Sequence, residues 1–166
     1  MEITKEEIIK GGEFITKQTK SDEIFTPEDF SEEQKMMLDA VKDFTDKEIW
    51  SKKHEFETHN YQLTADVMKK AGNLGFLGVN VPEEYGGLGM PFTSSMLVCD
   101  YISGSSGSTS TAFGAHTGIG TMPILLYGTD EQKRKYIPKL ATGEHIGAYC
   151  LTAVSYTHLT LPTIGC

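Results

Sequence analysis

The sequence predicts a mainly α-helical fold, a helical bundle that ends in a single β-strand. Two capping-box patterns, Ser31 to Gln34 and Thr129 to Gln132, mark helix starts, because side chains three residues apart can satisfy each other's backbone amides. Apolar residues recur three or four positions apart over much of the chain, as on one face of a helix. A run typical of a strand comes late, at residues 146–152.

The first half of the chain predicts two main helices. Residues 3–18 are amphipathic, and we expect a short helix interrupted at Gly11-Gly12, because paired glycines weaken a helix interior. After the Ser31 cap, apolar residues at helical spacing predict one helix from 32 to near 57. A second helix is expected over 64–73 with Thr64 as its cap, ended by the glycines that follow.

Residues 82–89 are predicted to form a shaped loop, since Pro82 restricts its neighbour and the glycines permit tight turns. A buried helix is expected over 93–104. The small, almost uncharged stretch 107–127 predicts a central buried helix with a kink or break at Pro123. A short basic helix follows the Thr129 cap, and we expect Pro138 to help end it.

Composition and charge limit the possible functions. The chain has 166 residues with 15 Lys and Arg against 23 Asp and Glu, a formal net charge of −8. This acidic balance argues against nucleic-acid binding, which needs clustered positive charge. No apolar run approaches the ~20 residues that span a bilayer. The acidic amphipathic N-terminus matches neither a signal peptide nor a transit peptide, so a cytoplasmic protein is predicted.

Cysteine and histidine spacing predicts neither disulfides nor a metal site. Cys99, Cys150 and Cys166 are odd in number and widely spaced, which favours free thiols. The five histidines form no spacing typical of metal ligands. Among them, His116 lies in the central helix, where we expect a buried, hydrogen-bonded structural side chain.

Three stretches resemble the acyl-CoA dehydrogenase family: residues 74–89, beginning Leu-Gly-Phe-Leu-Gly-Val; residues 125–140, beginning Leu-Leu-Tyr-Gly-Thr-Asp; and residues 142–152, ending Ala-Tyr-Cys-Leu-Thr. The resemblance covers roughly residues 31–152 and includes the helix that follows Ser31. It implies an N-terminal extension over 1–30, a helical domain over 31–143 and the first strand of a middle β-domain over 144–152. Residues 153–166 depart abruptly from the family pattern, so we interpret them as a foreign tail on a truncated fragment.

The resemblance also implies function. Members of the family bind FAD and desaturate the α,β bond of acyl-CoA thioesters in fatty-acid β-oxidation, with electron-transferring flavoprotein as acceptor, and they form homo-oligomers. By this resemblance Tyr149, Leu151 and Thr152 are candidate flavin-binding residues. Gly114 and Ala115 are candidate acyl-pocket residues, and their small size favours long acyl chains. The catalytic base is expected beyond the end of this chain, so no residue here is assigned as catalytic.

The sequence leaves two alternative functions open. An acyl-CoA oxidase-type relative would share the fold but pass electrons to oxygen, and the residues present do not separate the two. A non-catalytic helical interaction module belongs to a different class of protein. A chain without the base and with half of the flavin site would behave as such a module.

Overall fold

The computed structural model describes residue 9 and residues 12–58 and 60–149. It divides into two compact units, which meet in the sequence between Met37 and Leu38. The described residues are mainly helical and include no strand, which confirms the predicted helical fold. The helices are explained by capping hydrogen bonds between residues close in sequence and by the burial of apolar side chains.

In the first unit, α1 (Glu13–Thr16) begins after Gly12, and 3-10 turns follow at Ser21–Glu23 and Pro27–Asp29. The start of α2 (Glu32–Glu48) confirms the capping-box prediction. The Ser31 amide donates to Gln34 Oε1 at 3.0 Å, and the Gln34 amide donates to Ser31 Oγ at 3.2 Å. These two bonds satisfy donors that the first turn of a helix leaves unpaired.

The prediction of one helix from 32 to near 57 is wrong. α2 ends at Glu48, a 3-10 turn covers Trp50–Lys52, and α3 covers Lys53–Glu57. The Ser51 hydroxyl donates to the Lys47 carbonyl oxygen at 2.5 Å. That carbonyl is the one which the Ser51 amide would use in a continuous helix, so the side chain competes with the backbone there.

α4 covers Tyr61–Asn73, three residues longer at its start than predicted. The Thr64 cap prediction is wrong, because Asn60 caps the helix: its Oδ1 accepts a hydrogen bond from the Leu63 amide at 3.1 Å. At the other end, Gly75 has a positive φ of 80° and leads into a 3-10 turn at Phe76–Gly78. Phe76 in that turn packs edge to face against Phe44, with ring centroids 5.4 Å apart.

α5 (Phe92–Ser105) and α6 (Gly107–Gly114) lie next along the chain. The predicted break in the central helix exists, but its form differs from the prediction. Residues Ala115–Gly120 form a π-helix, called here the π segment, and α7 follows at Met122–Tyr127. Pro123 lies in the first turn of α7, where a missing amide hydrogen breaks no helical bond.

α8 (Asp130–Ala141) begins with the second predicted capping box: the Thr129 amide donates to Gln132 Oε1 at 2.9 Å. The helix continues through Pro138, contrary to prediction, because its last turn buries Ile137, Leu140 and Ala141. Ile137 and Leu140 form a core cluster with Val81 and Tyr85, with Ile124 and Leu125 packed against it. The loop 82–89 is therefore anchored on α8 through Tyr85.

Gly143, with φ 73°, turns the chain away from α8. Residues 146–149, the described part of the predicted strand, belong to neither a helix nor a strand. A strand forms by pairing with a neighbour, and the part of the chain that the structure describes offers no partner strand. The remaining predicted strand residues, 150–152, and the tail over 153–166 lie outside the described residues.

Candidate functional site

A cavity of about 420 Å³ lies between α5 and the helical segment from Gly114 to Tyr127. We call it the apolar groove. Its lining contains no charged side chain and consists of Asn80, Phe92, Ser95, Met96, Cys99, Gly114, Thr117, Gly118, Ile119, Met122, Pro123, Leu126 and Tyr127.

Helical spacing builds one wall of the groove. Phe92, Met96 and Cys99 follow one another at intervals of four and three on α5, so they share one face of that helix. Cys99 is a free thiol whose Sγ lies 3.7 Å from Ser103 Oγ. Phe92 and Met96 are exposed. Large apolar side chains at the mouth of an apolar cleft indicate a surface that binds something apolar.

The opposite wall is formed largely by the π segment and α7. The Thr121 hydroxyl donates to the His116 carbonyl oxygen at 2.7 Å, a bond over five residues that fits the wider π turn. π-Helical turns are rare and occur frequently at functional sites. This one presents Thr117, Gly118 and Ile119 to the groove. Leu126 and Tyr127 of α7, which also line the groove, are 58% and 87% exposed, so the groove is open to solvent there.

His116 belongs to the π segment but faces the protein interior, with 0% of its surface exposed. Its Nδ1 accepts a hydrogen bond from the Gly147 amide at 2.9 Å, and its Nε2 lies 3.0 Å from the Leu140 carbonyl oxygen. Because Nδ1 accepts, Nε2 must hold the proton and donate to Leu140. Burial lowers the pKa of His116, although the bond to Leu140 acts in the opposite direction. The structural role predicted for His116 is confirmed by these contacts.

A second cavity, of about 500 Å³, lies between α2 and α5. Its lining includes Lys42, Asp46 and Asp100, and the Lys42 ammonium lies 5.3 Å from the centre of the Tyr101 ring. These charges stay hydrated at an open surface, where opposite charges contribute little. The apolar groove is therefore the stronger candidate site.

The structure places three of the residues predicted from the sequence to form a site. Gly114 lines the apolar groove, whereas Ala115, half-buried, is not among its lining residues. Tyr149 is 56% exposed and lies two residues after the amide that binds His116. Leu151 and Thr152 lie outside the described residues.

Sequence reasoning missed most of the groove. Met96, Cys99 and Thr117 were not predicted as site residues, and neither were Ile119 or Leu126. The spacing of Phe92, Met96 and Cys99 was a usable signal, because it marks one apolar face on a helix whose other face is also buried. The π segment had no comparable signal, since its geometry depends on tertiary contacts.

The described residues hold no group of three or more His, Cys, Asp or Glu side chains that could bind a metal ion. No helix among them is both long enough and apolar enough to cross a membrane.

Comparison with known proteins gives a consistent result. The model of the acyl-CoA dehydrogenase N-terminal domain matches residues 31–144. A probable acyl-CoA dehydrogenase of Bacillus subtilis (strain 168) is 44% identical over 146 residues, which are 88% of this chain and 24% of the relative. A mitochondrial isovaleryl-CoA dehydrogenase of Solanum tuberosum is 37% identical over 124 residues, 74% of this chain and 30% of the relative.

Among solved structures, an acyl-CoA dehydrogenase from Bacillus anthracis complexed with FAD matches with a TM-score of 0.81 and 44% identity. The match covers 89% of this chain and 25% of that protein. The chain thus spans between about a quarter and a third of the length of these relatives. The 146-residue match must also include part of the segment before residue 31, because residues 31–166 are too few to contain it.

Proposed function

Because this chain belongs to the acyl-CoA dehydrogenase family, we propose that it forms the N-terminal helical domain of an enzyme that desaturates the α,β bond of an acyl-CoA thioester, with FAD as cofactor. The Bacillus anthracis relative is described as a complex with FAD, which supports the choice of cofactor. When bound, FAD accepts the hydride that leaves Cβ.

The apolar groove is the single observation that supports this proposal most strongly. An acyl chain is a flexible apolar ligand, and each buried methylene contributes roughly 0.8 kcal/mol. The groove offers apolar walls and no charged lining residue, so it suits the acyl chain rather than the phosphates of coenzyme A. Asn80, Ser95 and Thr117 are polar side chains in the lining that could bond to the thioester end of such a ligand.

Of the flavin-binding residues predicted by resemblance, Tyr149 is the one that the structure describes. Tyr149 offers an exposed aromatic ring two residues after Gly147, whose amide bonds to His116 of the π segment, and a planar apolar ring system can pack on such a surface. Leu151 and Thr152 follow in sequence, and a threonine hydroxyl can donate to the edge of a flavin ring. We therefore propose Tyr149, Leu151 and Thr152 for the flavin side and the groove for the acyl side.

The groove residues would orient the substrate and exclude water. The α proton must leave one face of the Cα–Cβ bond while the hydride leaves the other face, so a held acyl chain favours reaction geometry. No carboxylate lines the groove in the described part of the chain, so these residues do not supply the base that removes the α proton.

Gly114 supports a preference for long acyl chains. A Cβ atom built on Gly114 meets nothing within 4 Å, so this groove-lining residue has open space beside it. Gly114→Leu would fill the volume of several methylenes and should lower kcat/KM for a sixteen-carbon thioester by at least about tenfold, since two buried methylenes are worth that much. Activity on a four-carbon thioester should change much less.

Gly104→Leu is the matched control. Gly104 is also helical and also has nothing within 4 Å of a built Cβ, but it does not line the apolar groove. It should leave the chain-length profile unchanged. A wild-type preference for four- to eight-carbon substrates would contradict the proposed specificity, as would full sixteen-carbon activity in the Gly114→Leu variant.

The proposal also includes an electron acceptor and a metabolic pathway. We place the enzyme in fatty-acid β-oxidation in the cytoplasm, with electron-transferring flavoprotein as acceptor and a homo-oligomeric assembly. The rates at which the two acceptors re-oxidise the substrate-reduced enzyme distinguish a dehydrogenase from an oxidase. Rapid re-oxidation by electron-transferring flavoprotein and slow re-oxidation by oxygen are expected, and the reverse order would indicate an oxidase.

The activity itself is tested on the full-length protein that contains this domain. Saturated acyl-CoA added without oxygen should bleach the flavin absorption and yield the α,β-unsaturated thioester. The same thioester should protect Cys99 from alkylation, measured by mass spectrometry of the Cys99 peptide, because that thiol lines the groove. Unchanged flavin absorption with every acyl-CoA tested would overturn the proposed reaction.

A further inference from the structure

His116 connects three parts of the second unit through two hydrogen bonds and its own backbone. The side chain joins the C-terminal turn of α8, through the Leu140 carbonyl, to the chain at Gly147. Its backbone belongs to the π segment, and its carbonyl accepts the Thr121 hydroxyl. The residue is fully buried, and its bonds with Leu140 and Thr121 are buried too, whereas the bond from Gly147 is partly buried.

A close backbone contact lies beside these bonds. A Cβ atom built on Gly120 would come within 2.8 Å of Gly147 Cα and within 2.7 Å of its carbonyl carbon. Contacts below 3.0 Å do not occur between real atoms of this type, so the chain at Gly147 can cross the π segment this closely only because residue 120 is a glycine. The His116 bond to the Gly147 amide therefore fixes the chain where this crossing requires it.

The π segment also lines the apolar groove through Thr117, Gly118 and Ile119. The chain that leaves Gly147 leads within two residues to Tyr149. One buried imidazole thus bonds to the end of α8 and to the chain before Tyr149, while its backbone sits among the groove-lining residues.

We propose that His116 is a positioning residue, which holds the groove-lining π segment and the segment 147–149 in a fixed register. The functional consequence rests on the proposed function: the register would align the acyl chain in the groove with Tyr149, the described residue proposed for the flavin side. The fixed register of these two segments does not depend on that function, because it concerns hydrogen bonds within this chain alone.

Two near-isosteric substitutions separate positioning from simple core filling. His116→Asn places an amide oxygen near the position of Nδ1 and can keep the bond from the Gly147 amide while losing the bond to Leu140. His116→Gln places an amide nitrogen near the position of Nε2 and can keep the bond to Leu140 while losing the bond to Gly147. Both variants remove the imidazole ring. If His116 only filled space in the core, the two variants would have similar effects.

The first experiment uses nuclear magnetic resonance on the 166-residue chain, without any ligand. The wild-type His116 should show the tautomer protonated at Nε2, with a slowly exchanging Gly147 amide. In His116→Gln, exchange of the Gly147 amide should accelerate by about tenfold, the equivalent of one lost buried hydrogen bond. In His116→Asn the exchange should stay close to wild type.

The methyl resonances of Thr117 and Ile119 report on the groove in the same samples. They should shift in His116→Gln and stay near their wild-type positions in His116→Asn, which is a rescue that core filling does not predict. Equal exchange and equal methyl shifts in the two variants would overturn the proposal, and so would a wild-type tautomer protonated at Nδ1.

The second experiment measures kinetics on the full-length enzyme. His116→Gln should lower kcat more than it raises KM, because the groove still binds the acyl chain but holds it out of register. His116→Asn should recover most of kcat. Absence of turnover in the wild type would contradict the proposed function and leave the resonance result standing, whereas normal kcat in His116→Gln would overturn the functional role of His116 alone.

Discussion

At the scale of single residues, His116 makes stability depend on pH in a defined window. Burial lowers the pKa of His116 below its ordinary value of 6.5 in the folded chain. The unfolded chain therefore binds a proton first as the pH falls. The stabilisation that the neutral His116 gives the folded state is fully present above pH 6.5. It declines as the pH falls below 6.5, and it stops declining once the pH is below the folded-state pKa.

Urea unfolding at several pH values between 7.5 and 5 checks this. The free energy of unfolding of wild type should fall over that range, and the His116→Asn variant should show a shallower slope because it lacks the titrating ring. An identical slope in both proteins would mean that other groups cause the dependence.

Glu48 is a second residue with a predictable effect, at the end of α2. Its Oε2 accepts from Lys52 Nζ at 2.7 Å and from Lys70 Nζ at 2.6 Å, so one carboxylate links the 3-10 turn to α4. The bond from Lys52, then that from Lys70, lowers the pKa of Glu48 below 4.5. Its stabilisation is present above pH 4.5 and is lost as the pH falls through the folded-state pKa.

Glu48→Gln should cost about 1 kcal/mol at pH 7, a modest value because the carboxylate stays partly hydrated. Asp43→Asn is the matched control, since the pair of Asp43 with Lys47 lies on an exposed face of the same helix. It should cost less than about 0.5 kcal/mol. Chemical denaturation of both variants decides the case, and equal losses would contradict the special role of Glu48.

At the scale of elements, the start of α4 distinguishes two candidate caps. Asn60 accepts the Leu63 amide, whereas Thr64 lies inside the helix. Asn60→Ala should therefore destabilise the chain by about 1 kcal/mol. Thr64→Ala should be neutral or slightly stabilising, because alanine has the higher helix propensity. Thermal unfolding measures both, and a larger loss in Thr64→Ala would restore the cap predicted from the sequence.

The crossing of the π segment by the chain at Gly147 gives the second prediction at this scale. Gly120→Ala places a methyl group against the Gly147 backbone and should cost about 1–3 kcal/mol, the usual penalty of overpacking. Gly104→Ala meets no neighbour within 4 Å and should stabilise α5 by about 0.5–1 kcal/mol. Measured free energies of unfolding with the same sign would contradict this contrast.

At the scale of the whole molecule, the sequence predicted what depends on near neighbours. Both capping boxes form as expected, because the donor and acceptor lie three residues apart. The break after Glu48 was missed although it is local, because the bond from the Ser51 hydroxyl to the Lys47 carbonyl leaves no trace in the spacing of apolar residues. The π form of the break in the central helix was also missed. There His116 contacts residues 24 and 31 positions away, and periodicity along the chain does not contain such contacts.

The candidate site also depends on contacts between residues that are distant in sequence. Gly114 could be proposed from a family resemblance, and it does line the groove. The facing residues Met96 and Cys99 could not be paired with it, because a sequence does not state which helix faces which. The fold class was therefore predictable, whereas the groove required the packing of α5 against the π segment and α7.

The last prediction concerns FAD and the 166-residue chain alone. FAD has a planar apolar ring system and two negatively charged phosphates, so tight binding needs an enclosed apolar surface together with phosphate donors or positive charge. The described residues offer an open apolar groove without a charged lining residue, and Tyr149, the described flavin candidate, is largely exposed. We therefore expect the purified chain to retain no flavin and to bind added FAD weakly, while the full-length protein retains it. Absorption spectra and equilibrium dialysis of both proteins test this, and a stoichiometric flavin in the 166-residue chain would mean that this domain holds most of the cofactor site by itself.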